Sequence, residues 1–306
     1  MKKAICWFRK NLRIDDNPSL YNAINENEEL ICIYIKNYSI YNPYGIDLGN
    51  MGSFRKKFLD ESVLDLKNNL KEIGIHLYIF DGDLIEVFKE IKSKYLSNKI
   101  YASKEVGWYE EKEEEVLKEN NFDLNLYDDQ FLIERNNLPY KTDELPLIFT
   151  HFRKKIEKFV KIREEVGKII YKKKIDKYDF NFQSDINYKD LEFHKDSNFP
   201  FKGGESNGNE RLEFYLWKNK GIETYKETRN GLIGTEYSSK LSSYLSLGCL
   251  SPVSIYHEIK KYEKEIKKNS STYWLIFEIL WREFFRYVYL KGKNNIFIKH
   301  GINGNI

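Results

Sequence analysis

Short apolar runs alternate with helix-length amphipathic stretches over the first 130 residues. Ala4 to Phe8, Leu30 to Ile35, Ile75 to Phe80, Lys99 to Ala102 and Leu124 to Tyr127 have the length and composition of buried strands. Helical periodicity fills 18–26, 52–72, 84–96 and 108–120. Strands separated by helices of that length predict a parallel, doubly wound α/β sheet. The alternation then stops, and residues 131–200 read as a linker. Within it, Arg153 to Lys177 holds eleven Lys/Arg and four Asp/Glu. A solvated, partly helical crossing explains that run more simply than a nucleic-acid contact. From Glu205 onward every pattern is helical. The expected organisation is an α/β domain over 1–130, a linker over 131–200 and a helical domain over 201–306.

Ser271 to Leu290 is apolar on almost every side, which predicts a helix buried all round. It nevertheless carries Glu278, Arg282, Glu283 and Arg286. Glu278, Trp281, Arg282, Phe285 and Arg286 share one face by their i, i+3, i+4, i+7, i+8 spacing. Buried charges are costly unless paired or bound to something polar. Two readings stay open: an intrahelical Glu278–Arg282 pair inside a core, or a face lining a site for a large polar ligand. Upstream, Leu241, Tyr244, Leu245 and Gly248 suggest a short helix closed by glycine, with Ser238, Ser239 and Ser242 at its start. Free amides and hydroxyls there suit an anion such as a pyrophosphate. Ordinary serine capping would explain the same residues. Ser251 reads as the next N-cap, with Pro252 at the first helical position.

Composition narrows the classes. A net charge of +3 and a pI near 8.4 neither demand nor exclude a nucleic acid. Aromatics make up 16% of the chain, which favours stacking on planar ligands. Cys6, Cys32 and Cys249 are scattered among apolar neighbours and read as buried thiols in a reducing compartment. The five histidines have no metal-ligand spacing, so no metal site is expected. No signal peptide and no membrane-length apolar run are evident, and a cytoplasmic monomer is expected. No Gly-x-Gly-x-x-Gly follows the first strand, so ordinary dinucleotide binding in the α/β domain is not supported.

Several ordered strings point further: Tyr225-Lys-Glu-Thr-Arg-Asn-Gly-Leu232, Tyr237-Ser-Ser-Lys-Leu-Ser242, Leu247-Gly-Cys-Leu-Ser-Pro252, Ser271-Thr-Tyr-Trp274 and Phe277-Glu-Ile-Leu-Trp-Arg-Glu-Phe-Phe-Arg286. Gly203-Gly-Glu-Ser206, Arg211-Leu-Glu213, Phe149-Thr-His-Phe-Arg153 and Trp7-Phe-Arg-Lys-Asn-Leu-Arg-Ile-Asp-Asp-Asn-Pro18 add to them. Together they resemble the photolyase/cryptochrome family, most of all its DASH-type cryptochromes. Asn11 stands where that family usually has aspartate. The resemblance implies an α/β antenna domain followed by an all-helical FAD-binding domain. It also implies blue-light-driven splitting of cyclobutane pyrimidine dimers in single-stranded DNA by an electron from reduced FAD. Photolyases extrude their target from the base stack.

Roles follow the same resemblance. Tyr225, Ser238, Ser239, Lys240, Leu241 and Ser242 would hold the FAD phosphates and ribityl chain, with Lys240 as charge partner. Arg282 would contact the flavin side of the pocket. Glu278 would hydrogen-bond the lesion, Trp281 would stack on it, and Arg229 would grip a nearby DNA phosphate. Glu105 matches the carboxylate that holds a 5,10-methenyltetrahydrofolate antenna in many members, although Gly107-Trp108-Tyr109 departs from their pattern. A plain helix-start acid is the other reading of Glu105. Family members continue well beyond Ile306, so the helical domain is expected to be incomplete and to hold FAD weakly or not at all. A photolyase, a non-repairing blue-light photoreceptor and an inactive remnant are the three readings. The presence of both Glu278 and Trp281 favours the first, and the early stop favours the last.

Overall fold

The computed structural model describes residues 2–36, 51–171, 177–187 and 190–302. Five parallel strands form the sheet's centre: β1 (Lys3–Phe8), β2 (Glu29–Lys36), β3 (Leu77–Asp81), β4 (Lys99–Ser103) and β5 (Asp123–Tyr127). A short β6 (Gln183–Ser184) joins β3 antiparallel, giving the order β5-β4-β1-β2-β3-β6. β6 lies inside the stretch read as a linker and carries no strand-like run of its own. Only its pairing with the β3 edge makes it a strand.

The helices α1 (Pro18–Glu26), α2 (Ser53–Glu72), α3 (Leu84–Tyr95) and α4 (Trp108–Glu119) alternate with these strands. β1 is buried on both faces because helices cover both sides, which is why its sequence is continuously apolar. Alternate residues divide between two cores. Ile5 and Trp7 pack with α3, while Ala4, Cys6 and Phe8 join α1 and α2. The second of these cores continues into the C-terminal helices, so the two halves share apolar interior.

Those helices are α5 (Phe149–Phe159), α6 (Glu205–Glu213), α7 (Tyr225–Thr228), α8 (Ser242–Leu247), α9 (Pro252–Glu265) and α10 (Ser270–Gly292). No strand occurs among the described residues of 205–302. α9 starts as its sequence predicts, with the Ser251 hydroxyl accepting from the Val253 and Ser254 amides and Pro252 next. α10 opens with a capping box built from Asn269 and Thr272. α8 ends at Gly248, whose φ is +68° and where a Cβ would lie 2.0 Å from the Lys10 carbonyl oxygen. Glycine is needed there both for the left-handed turn and for the close approach of the β1 loop.

A buried polar junction locks the halves together. Arg13 donates to the carbonyls of Gly248, Asp129 and Asp16. Glu205 accepts the Ile14 and Asp15 amides at 2.8 Å each. Asp16 pairs with Arg163 and accepts from Ser251. Asn11 donates to Asp129 at 2.7 Å and to Ser19. Burial lifts the Asp129 carboxyl to about 6. An amide at position 11 can donate to that carboxylate where an aspartate could not. The linker stretch is built into the same interior, since Phe131, Leu132 and Ile133 are fully buried against α10.

α10 departs from its sequence reading. Leu275, Ile276, Ile279, Leu280, Glu283, Phe284 and Tyr287 are buried, but Trp274, Phe277, Glu278, Trp281 and Arg282 are half-buried and Phe285 is 60% exposed. Helix apolarity measured only composition. The packing partners cover one face and leave the other open among the described residues.

Candidate functional site: a cavity between α8 and α10

The open face of α10 borders a cavity of about 360 Å³. Tyr225, Ser239, Leu241, Ser242, Glu278 and Arg282 line it together with aliphatic side chains of α8, α9 and α10. Three separate chain segments thus deliver six of the residues singled out in the sequence to one place. Ser238, Lys240, Arg229, Trp281 and Glu105 do not line it. Lys240 takes a left-handed φ of 61° and its ammonium sits 3.6 Å from the Tyr237 ring centroid. α8 is only six residues long, so the loop before it, rather than a helix dipole, must supply any anion-binding amides.

The Glu278–Arg282 pair does not form. Glu278 accepts from Arg229 Nε at 3.2 Å. Arg229 also donates to the Lys226 carbonyl and lies over the Trp274 ring. Arg282 turns toward the α/β half and donates to the Gln130 carbonyl at 2.9 Å, to Gln130 Oε1 at 2.8 Å and to the Leu245 carbonyl. Burial, with Arg286 nearby, lowers the Arg282 guanidinium to about 9. Tyr225 is pushed up to about 12 by burial and by the Glu278 charge. Trp281 stacks on Phe149 with ring centroids 3.7 Å apart, and Phe285 stacks on Trp281 at 5.5 Å.

Glu105 precedes α4 by three residues and is buried, accepting from the Ser103 hydroxyl at 3.0 Å. It is therefore not a helix-start acid. A second cavity of about 380 Å³ lies beside it between α4 and the end of α10, lined by Val106, Trp108 and Tyr289 but not by Glu105. Three contributors were given no role by the sequence reading. Gln130 anchors Arg282. Glu283 accepts the buried Leu132 and Ile133 amides at 3.1 and 3.0 Å. Arg211 ties down the 235–239 loop. Glu283 had a sequence signal, a carboxylate amid apolar neighbours, but its partners lie 150 residues away.

Comparison with known proteins decides the family. The DNA photolyase family profile matches residues 4–168, more than half of the chain. The chain belongs to the photolyase/cryptochrome family. Within it the chain is of DASH type, as the sequence strings implied. It is 33% identical over 312 residues to the cryptochrome DASH of Gloeobacter violaceus, covering 99% of this chain and 62% of that protein. It is 36% identical over 317 residues to that of Danio rerio, covering 98% and 60%. The crystal structure of a Synechocystis cryptochrome superposes with a TM-score of 0.88 at 33% identity, over 98% of this chain and 64% of that one. An archaeal photolyase from Sulfolobus tokodaii, solved with two FAD molecules, shares the fold with a TM-score of 0.66 at 22% identity, over 94% and 59%. The chain thus spans less than two thirds of the length of these family members. Among the described residues no helix is long and apolar enough to cross a membrane, and no cluster of His, Cys, Asp and Glu could hold a metal ion.

Proposed function

We propose that the α8–α10 cavity is one wall of an FAD site, and that the protein uses blue light to split cyclobutane pyrimidine dimers in single-stranded DNA. The carrying observation is the convergence of Tyr225, Ser239, Leu241, Ser242, Glu278 and Arg282 on one cavity. The donor set fits the cofactor. Ser239, Ser242 and Ser246 offer hydroxyls for phosphate and ribityl oxygens, while Leu241, Leu245, Leu275 and Ile279 offer apolar surface to a flat ring. Arg282, held by Gln130, puts a fixed cation on that wall. Ser238 and Lys240 would complete the phosphate loop, with Lys240 freed from Tyr237 to reach the charge. Bound reduced FAD supplies the excited-state electron, which returns once the dimer has split.

The chain's own residues bind and orient. Glu278 would accept hydrogen bonds from the lesion bases at the cavity rim. Trp281, braced by Phe149, would stack on the extruded base, worth about 1–3 kcal/mol per base. Arg229 would exchange Glu278 for a DNA phosphate, a contact that positions without reading sequence. A single strand spares the cost of unpairing. A monomer in the cytoplasm suffices for this chemistry.

An antenna folate fits less well. The Glu105 carboxylate is buried on Ser103 and does not line the neighbouring cleft, so no step is derived through that pigment. The test is to add FAD in large excess to the purified chain, since one wall alone holds it weakly, reduce it, and illuminate dimer-containing oligonucleotides. Light-dependent dimer loss, faster on single strands than on duplex, is expected. Bound FAD without dimer loss would replace repair by a photoreceptor role, and no FAD binding even at millimolar excess would reject the cavity as a flavin site.

A further inference from the structure

We infer that Arg211 is a positioning residue that turns the 235–239 loop so that its amides face the cofactor phosphates. The inference rests on the flavin reading of the cavity. Arg211 is 5% exposed, and its guanidinium lies within 4.8 Å of the Phe201 ring centroid and 5.4 Å of that of Tyr215. It donates from Nε to the Ser239 carbonyl at 3.0 Å, and from Nη2 to the Thr235 carbonyl at 2.9 Å and the Ser238 carbonyl at 3.0 Å. Glu236 lies 3.6 Å from Nη1.

One side chain therefore collects three carbonyls of one loop. In a planar trans peptide the N–H points opposite to the C=O of the residue before it. No described peptide bond is cis. With the Ser238 and Ser239 carbonyls drawn to Arg211, the Ser239 and Lys240 amides must point away from it. Ser239, Leu241 and Ser242 line the flavin cavity on that side, while Arg211 lines a different cavity behind the loop. Among the described residues neither amide donates to a protein acceptor. The positive φ of Lys240, followed by the right-handed Leu241, turns the chain sharply at the mouth of α8. Arg211 is a cation facing carbonyls, so it touches no phosphate itself. Its effect on the cofactor runs through the backbone it holds.

The experiment compares Arg211→Gln and Arg211→Lys with the wild-type chain. Two probes are used: FAD, and riboflavin, which lacks both phosphates. Hydrogen exchange of residues 236–242 is measured in the flavin-free chains. Arg211→Gln is expected to weaken FAD by about tenfold or more while changing riboflavin by about twofold at most. Exchange over 236–242 should speed up, and Arg211→Lys should fall between because an ammonium cannot span the three carbonyls. Equal losses for FAD and riboflavin, or unchanged exchange in the loop, would overturn the inference. If Arg211→Gln does not fold, Arg211→Lys and its exchange decide. If the wild type binds neither flavin, the flavin reading fails, and the exchange result still judges the tie.

Discussion

Replacing Glu283 tests how α10 is fixed to the α/β half. Its carboxylate is fully buried and accepts two backbone amides, Leu132 at 3.1 Å and Ile133 at 3.0 Å. Burial pushes the carboxyl up, while Arg282 and the two amides favour its anion. Glu283→Ala leaves two buried amides without an acceptor, each costing about 1–3 kcal/mol. It also removes the negative charge whose field favours the Arg282 guanidinium. The two amides alone set an expected total of about 2–6 kcal/mol. For a chain of this size that corresponds to a fall in Tm of roughly 3–10 °C. Glu283→Gln keeps one acceptor oxygen but points an NH2 at the other amide, and should lose about 1–3 kcal/mol. Thermal unfolding followed by circular dichroism gives the order wild type, Gln, Ala. Hydrogen exchange at Leu132 and Ile133 should rise in the same order. A Glu283→Ala chain that melts within a degree or two of wild type would refute the clamp.

Other expectations follow from the same contacts. Glu278→Ala and Trp281→Ala should lower dimer repair per bound flavin more than they lower FAD content, and unchanged repair in both would remove them from the lesion site. Burial raises Glu205 from its ordinary 4.5 to about 8, although two amides favour its anion. A carboxyl bound more tightly to its proton in the fold stabilises most below pH 4.5 and loses that contribution as pH rises to about 8. The Tm of Glu205→Gln should therefore vary less between those limits than that of wild type, and parallel curves would exclude Glu205 as the cause. Asn11→Asp would set a second carboxylate against Asp129, already raised to about 6. The pair should share one proton, so stability should drop by about 2–3 kcal/mol at pH 8. It should recover as the solution is acidified, and a loss independent of pH would point to packing instead.

The five parallel strands and the four helices between them were legible in the sequence because periodicity is local. Each of these elements lies within two residues of its apolar pattern, and the caps at Ser251 and Gly248 were readable from single residues. The ordered motifs identified the family and singled out six residues that line one cavity. The particular hydrogen bonds and ion pairs that join distant segments were hidden. Glu278 and Arg282 have the spacing of an intrahelical pair, yet the first turns to Arg229 and the second to Gln130. Glu283 meets amides 150 residues away, β6 becomes a strand only against β3, and Arg211 acts through carbonyls in another loop. The apolar composition of α10 announced burial but could not say which face stays open. A side chain's spacing along its own helix states which partners are within reach. Which partner it takes depends on competing donors and acceptors brought near by the packing of the whole chain, and on the cost of leaving any of them buried and unpaired.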